Sequence, residues 1–293
     1  MKSFDGIFTA LITPFRGGEI DFDSLKKLLR FQLDKKIHGF VVGGTTAESP
    51  TLTDPEKEKL FQFVKSETGG QVPLVMGTGS NSTQATVEAS RKAEAWGADG
   101  ILVVTPYYNK PPQRGLVEHF KKVAESVSIP LLLYNVPSRT ITALSLDTIK
   151  TLSETKNIIG IKEASGDIEF GRAIYQKCGS EFLLTSGDDG TWLQLCSVGA
   201  RGTISVLSHV APLQMVEQLE KLRRRDMSAL QDAEKFNDLI KLLFVEANPI
   251  PVKAALKMMG IIASDELRLP LVSLTEEYRE PLKRALVRLE LMS

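Results

Sequence analysis

Histidine and cysteine are scarce in this 293-residue chain, which has only His38, His119, His209, Cys178 and Cys196. They are scattered, with no His/Cys/carboxylate spacing of the kind a metal site needs. Two cysteines cannot build a disulfide framework; they fit a reducing compartment, and a cytoplasmic protein is expected. Charge of one sign is missing too. With 36 Lys+Arg against 36 Asp+Glu, the chain offers no basic face to nucleic acid. No apolar run approaches the roughly 20 residues that span a bilayer, so no membrane partner is expected. Asp5 and Pro14 interrupt the first apolar stretch, unlike a signal peptide. The phosphate-cradling GxxxxGK[ST] and the GxSxG elbow are absent, and Gly77-Thr78-Gly79 lacks the third glycine of a dinucleotide fingerprint. Asp188-Asp189 would repel a phosphate at the usual barrel phosphate site. The chemistry must come from lysine, hydroxyls and phenols, without a cofactor.

The rest of the composition, 42% apolar and 25% charged, is that of a globular protein large enough to bury a core without staples. Short apolar runs recur at 7–13, 39–44, 73–77, 100–105, 130–135, 158–162, 182–187 and 202–206. They are continuously apolar rather than alternating, as parallel strands covered on both faces are. Between them lie helical stripes such as Leu25, Leu28, Leu29 and Leu33, or Ala85, Ala89, Ala93 and Trp96. Thr53-Asp54-Pro55-Glu56 reads as a capping box. Repeated strand–helix units of about 25–30 residues predict an α/β fold, a (β/α)8 TIM barrel over residues 1–225. A doubly wound open sheet is the alternative. From 226 to 293 the strand signals stop and a C-terminal helical appendage is expected. There Ala229, Ala233, Phe236, Ile240 and Leu243 form one stripe, a second helix follows Asn248-Pro249-Ile250-Pro251, and a third begins after Thr275.

Active sites of such barrels lie where the strands end. In Ile159-Gly160-Ile161-Lys162 a lysine ends an apolar strand, and alternation puts Gly160 and Lys162 on one face. If that face looks into the barrel mouth, Lys162 lies over the space left by Gly160. Poor hydration there favours the uncharged amine, a nucleophile able to form a Schiff base with a ketone. A lysine emerging into solvent and paired with Asp188 or Asp189 accounts for the same pattern. Tyr134 ends the neighbouring run; it is either a proton carrier needing a hydroxyl partner or rim packing. Thr45 and Thr46 follow Gly43-Gly44, a loop suited to a carboxylate or merely polar. Tyr107 and Tyr108 sit on a Pro-bracketed loop and have the character of interface aromatics. Arg139, one loop beyond Tyr134, is either a bidentate carboxylate clamp or a solvated arginine.

Six motifs in order carry a resemblance. They are Gly44-Thr45-Thr46-Ala47-Glu48-Ser49, Thr105-Pro106-Tyr107-Tyr108-Asn109-Lys110-Pro111, Tyr134-Asn135-Val136-Pro137-Ser138-Arg139-Thr140, Gly160-Ile161-Lys162-Glu163-Ala164-Ser165-Gly166-Asp167, Ser186-Gly187-Asp188-Asp189 and Asn248-Pro249-Ile250-Pro251-Val252-Lys253. Over essentially its full length the chain resembles the dihydrodipicolinate synthase family, within the pyruvate-dependent class I aldolase superfamily. The resemblance implies condensation of pyruvate with L-aspartate 4-semialdehyde, through a lysine Schiff base and enamine, to 4-hydroxy-tetrahydrodipicolinate. That reaction is the first committed step of the diaminopimelate and lysine pathway. Lys162 would form the imine. Tyr134 would relay protons in a triad with Thr45 and with Tyr108, the latter from a neighbouring subunit. Thr46 would hold the pyruvate carboxylate, helped by backbone groups near Gly187 and Ile204, and Arg139 would bind the aldehyde's carboxylate. A homotetramer, a dimer of tight dimers, is implied as well.

Two departures stand out: Ala47 and Ile141 occupy positions where the family commonly has glycine. Lysine-inhibited members carry a glutamate at the position of Ala85 and often histidines at those of Asp54 and Lys57, while Asn81 and Tyr107 remain. Weak or absent feedback inhibition by lysine is therefore expected. The rival within the superfamily is an N-acetylneuraminate lyase or a 2-keto-3-deoxy sugar-acid aldolase, which shares the lysine and the tyrosine. Thr45-Thr46, Tyr108 and Ser138-Arg139 favour the synthase. A non-catalytic oxo-acid-binding barrel is the rival of another class.

Overall fold

A computed structural model describes residues 2–292. Its strands are β1 (Gly6–Ala10), β2 (Phe15–Arg16), β3 (Glu19–Ile20), β4 (Gly39–Val42), β5 (Leu74–Gly77), β6 (Gly100–Val104), β7 (Leu131–Asn135), β8 (Ile158–Glu163), β9 (Leu183–Ser186) and β10 (Gly202–Ser205). Eight of them form a closed barrel in the order β1-β10-β9-β8-β7-β6-β5-β4. The closed (β/α)8 barrel thus stands, and the open sheet is excluded. The continuous apolar runs have the expected cause, since β1, β4 and β7 are buried at every position. Unforeseen was the small antiparallel ribbon β2–β3, whose two-residue strands are too short to carry a periodic pattern. No helix among the described residues is long and apolar enough to cross a membrane.

Contacts group the chain into two compact units, one of Met1–Gly6 with Pro73–Ile204, the other of Ile7–Val72 with Ser205–Ser293. In the first, β5 to β9 pair in parallel. Its Thr83–Trp96 helix turns Thr86, Val87, Ser90 and Ala93 inward. The expected stripe through Ala85 and Ala89 is therefore corrected: Ala85 is exposed, because burial of Val87 sets the helix's rotation and small hydroxyls pack where alanines were expected. In the second unit, β1 pairs with β4. The Phe22–Asp34 helix buries Leu25, Leu28 and Leu29 as expected. Thr53 and Glu56 form the capping box of the Asp54–Thr68 helix.

The C-terminal stripe is not one helix. It breaks between Ser228–Glu234 and Asn237–Leu243, so that Phe236 caps the second piece. Helices Ile250–Met258 and Glu276–Arg288 follow where they were expected.

His209 is fully buried in this unit. Its Nε2 accepts from the Ile12 backbone N–H at 3.1 Å and its Nδ1 lies 2.9 Å from the Val206 carbonyl. Burial pushes it down to about 4, so it is a neutral structural ring at neutral pH.

Candidate active site

Strand register brings two of the expected residues together in the first unit. Tyr134 of β7 lies opposite Lys162 of β8, and Asn135 opposite Glu163. Residues directly opposite on neighbouring strands share a face, so phenol and amine stand side by side at the carboxyl ends of their strands. Lys162 is 6% exposed and Tyr134 8%. Lys162 Nζ lies 4.2 Å from the centre of the Tyr134 ring, over its face. Among the described residues neither side chain makes a hydrogen bond, and Lys162 has no ion pair. The phenol and amine are adjacent without being joined, the loose arrangement common before substrate binds.

The reading of Lys162 as solvated and paired with Asp188 or Asp189 is not what the structure has. Asp188 Oδ2 instead accepts from Thr191 N at 3.0 Å and Thr191 Oγ1 at 2.8 Å.

The room for Lys162 comes from a glycine other than the one expected. A Cβ on Gly160 would fall 2.2 Å from the Leu183 carbonyl oxygen, so that glycine admits the backbone of β9 rather than leaving a space. A Cβ on Gly187 would fall 2.6 Å from Lys162 Cε. Gly187 is what lets the lysine stem lie where it does. Its N–H donates to the Glu163 carbonyl at 2.7 Å, so that donor is already engaged. Ile204 is 3% exposed in β10.

Sequence reasoning missed the brace behind this pair. Glu163 is 2% exposed; it accepts from Asn135 Nδ2 at 2.8 Å and from Ser165 N at 2.7 Å. Asn135 Oδ1 accepts from Leu144 N at 3.0 Å. Burial pushes the Glu163 carboxyl above its ordinary range. The brace ties the ends of β7 and β8 together one residue beyond Tyr134 and Lys162. The one signal for it was a carboxylate directly after the lysine at the end of an apolar strand.

Arg139 lies on the short Pro137–Thr140 helix, exposed and without an ion pair among the described residues. Ile141 caps that helix at φ +62 and is 70% exposed. A β-branched residue is strained there, which is the physical meaning of the family's glycine. Tyr108 is 87% exposed at φ +74, and Tyr107 is 39% exposed. The chain by itself does not bring Tyr108 to Tyr134.

In the second unit, Thr45 and Thr46 start a 3-10 turn immediately after β4. Ala47 keeps a negative φ and it is Glu48 that turns left-handed at φ +56, so Ala47 fits without strain. Thr45 is exposed. Thr46 is 4% exposed, and its hydroxyl accepts from Asn248 Nδ2 at 2.8 Å. Among the described residues no group of three or more His, Cys, Asp or Glu is arranged to hold a metal ion.

Comparison with known proteins bears on these residues. The model of the dihydrodipicolinate synthetase family matches residues 3–289. The 4-hydroxy-tetrahydrodipicolinate synthase of Bdellovibrio bacteriovorus is 59% identical over 278 residues, 94% of this chain and 95% of that protein. The crystal structure of dihydrodipicolinate synthase from Thermotoga maritima has a TM-score of 0.97 and 41% identity, covering 99% of each chain. That of the chloride-inhibited dihydrodipicolinate synthase from Acinetobacter baumannii, complexed with pyruvate, has a TM-score of 0.96 and 40% identity, covering 99% of this chain and 100% of that one.

Proposed function

This chain belongs to the dihydrodipicolinate synthetase family, and on that premise we propose that it condenses pyruvate with L-aspartate 4-semialdehyde through a Schiff base on Lys162. The observation that carries the reading is the buried Lys162 Nζ over the Tyr134 ring, with no carboxylate among the described residues paired to it. An amine held in that way, out of water and beside a phenol, is equipped for addition to a ketone.

Lys162 Nζ attacks C2 of pyruvate, and water leaves as the imine forms. Tyr134 carries the protons of addition and dehydration, in a triad with Thr45 and with Tyr108 of a second copy of the chain. The protonated imine is an electron sink, so a C3 proton leaves and an enamine forms. The enamine carbon attacks the aldehyde of the semialdehyde, whose carboxylate Arg139 binds. The substrate's own amino group then displaces Lys162 from the imine carbon and closes the ring to 4-hydroxy-tetrahydrodipicolinate. One water is released overall. Thr46, with backbone groups near Ile204, holds the pyruvate carboxylate, while the Gly187 N–H is already given to the Glu163 carbonyl. The exposed Tyr108 fits a homotetramer built as a dimer of dimers.

The test is turnover with pyruvate plus L-aspartate 4-semialdehyde, set against cleavage of N-acetylneuraminate. Turnover of the first pair alone is expected. Cleavage of the sugar acid with no condensation would overturn the proposal.

A further inference from the structure

Asn248 is far from the strand-end motifs in sequence, and the steps above assign it nothing. It is 7% exposed, and Thr46, to whose hydroxyl its amide donates at 2.8 Å, is 4% exposed. A hydroxyl carries one proton and can accept as well as donate. With the amide supplying a proton to Thr46 Oγ1, the hydroxyl's own proton is free, and among the described residues it donates to nothing. The other end of the same carboxamide, Asn248 Oδ1, is buried with no partner. A buried acceptor left open is rare, and it marks a place where a donor belongs.

The pair is held on both sides. Two residues after Thr46, the fully buried Glu48 carboxylate receives Lys253 Nζ at 2.5 Å and the Arg268 backbone N–H at 2.9 Å. Lys253 also donates to the Glu266 carbonyl at 2.8 Å and lies 4.3 Å from the centre of the Phe15 ring. Asn248 lies two residues before the Ile250–Met258 helix and Lys253 lies on it. The short segment 248–253 therefore grips the turn at a side-chain hydroxyl and at the carboxylate that follows it.

We propose that Asn248 is a positioning residue that fixes Thr46 as a hydrogen-bond donor toward the carboxylate of the oxo-acid substrate. The inference rests on the role given to Thr46 above. Its content is directional: a donor at position 248 leaves the Thr46 proton for the substrate, whereas an acceptor there takes it. Asn248→Asp keeps the size and reverses the hydrogen bond, so that the threonine donates to the aspartate and a like charge faces the incoming carboxylate. Asn248→Ala only releases the hydroxyl.

The experiment is borohydride trapping of the Lys162 adduct at rising pyruvate, in wild type, Asn248→Ala, Asn248→Asp, Thr46→Val and Thr46→Val with Asn248→Asp. Half-saturating pyruvate is expected to rise about 3-fold in Asn248→Ala and more than about 10-fold in Asn248→Asp, the range for a hydrogen bond to a charged group. In the Thr46→Val background the aspartate is expected to cost far less, a coupling that independent structural damage would not produce. Equal effects of alanine and aspartate, or additive effects with Thr46→Val, would overturn the proposal. Should Asn248→Asp not fold, Asn248→Ala decides by steady-state kinetics with both substrates: half-saturation must rise for pyruvate and stay unchanged for the semialdehyde, and a rise in both counts against the inference. A wild type that traps no pyruvate defeats the Schiff-base reading itself. A wild type that traps it while position 248 has no effect defeats only this inference.

Discussion

Lys162 owes its place to what its neighbours lack. Gly187 has no side chain to meet the lysine stem, and no carboxylate among the described residues pairs with the lysine nitrogen. In Gly187→Ala the new Cβ would fall 2.6 Å from Lys162 Cε. Displacing a reacting atom by about 1 Å costs on the order of 10²-fold in rate, so a loss of about that size in kcat is expected, read by steady-state kinetics with thermal unfolding as the control for folding. Unchanged kcat would mean that the stem has another route. Tyr134 is tested at the same scale. Tyr134→Phe keeps the ring under the Lys162 nitrogen and removes only the proposed proton carrier, and a loss of about 10²–10⁴-fold in kcat is expected. A phenylalanine variant as fast as wild type would reduce Tyr134 to packing.

Among the elements, the Asp54–Thr68 helix is tied into the second unit by Arg268. Its guanidinium donates to both oxygens of Glu56, at 2.5 and 3.0 Å. That hydrogen bonding holds the Glu56 carboxyl down to about 2, against an ordinary 4.5. A carboxyl depressed in the folded state contributes stability that is whole above about 4.5 and is lost as pH falls toward 2. Glu56→Gln is therefore expected to cost about 1 kcal/mol at neutral pH and to flatten the fall in stability between those two values, measured as the urea midpoint against pH. Parallel curves for variant and wild type would remove this pair from the acid response.

Why some elements were legible and others were not follows from the same physics. The barrel strands are buried on both faces, so each left a continuous apolar run, and Lys162 was conspicuous as the charge that ends one. The break at Phe236 left no mark, because Ala233, Phe236 and Ile240 keep helical spacing through it. The Glu163 brace and the Asn248–Thr46 bond join residues 28 and 202 positions apart, and no local period reports such a pairing. Gly160 and Gly187 looked alike as letters; only the closed register separates the one that admits β9 from the one that admits the lysine.

For the molecule as a whole, the resemblance bears on regulation as well as on chemistry. Ala85 is exposed on its helix, and Asp54 and Lys57 stand in the first turn of theirs, where the resemblance places a glutamate and histidines in lysine-inhibited members. Millimolar lysine is expected to leave the initial rate nearly unchanged, and strong suppression would contradict that. The proposed chemistry converges on a single nitrogen. Reduction with borohydride in the presence of pyruvate, followed by digestion and peptide mapping, is the most direct measurement of it. One adduct is expected, on the peptide carrying Lys162, and none in Lys162→Ala. An unmodified wild type, or an adduct on a different lysine, would contradict the mechanism at its root.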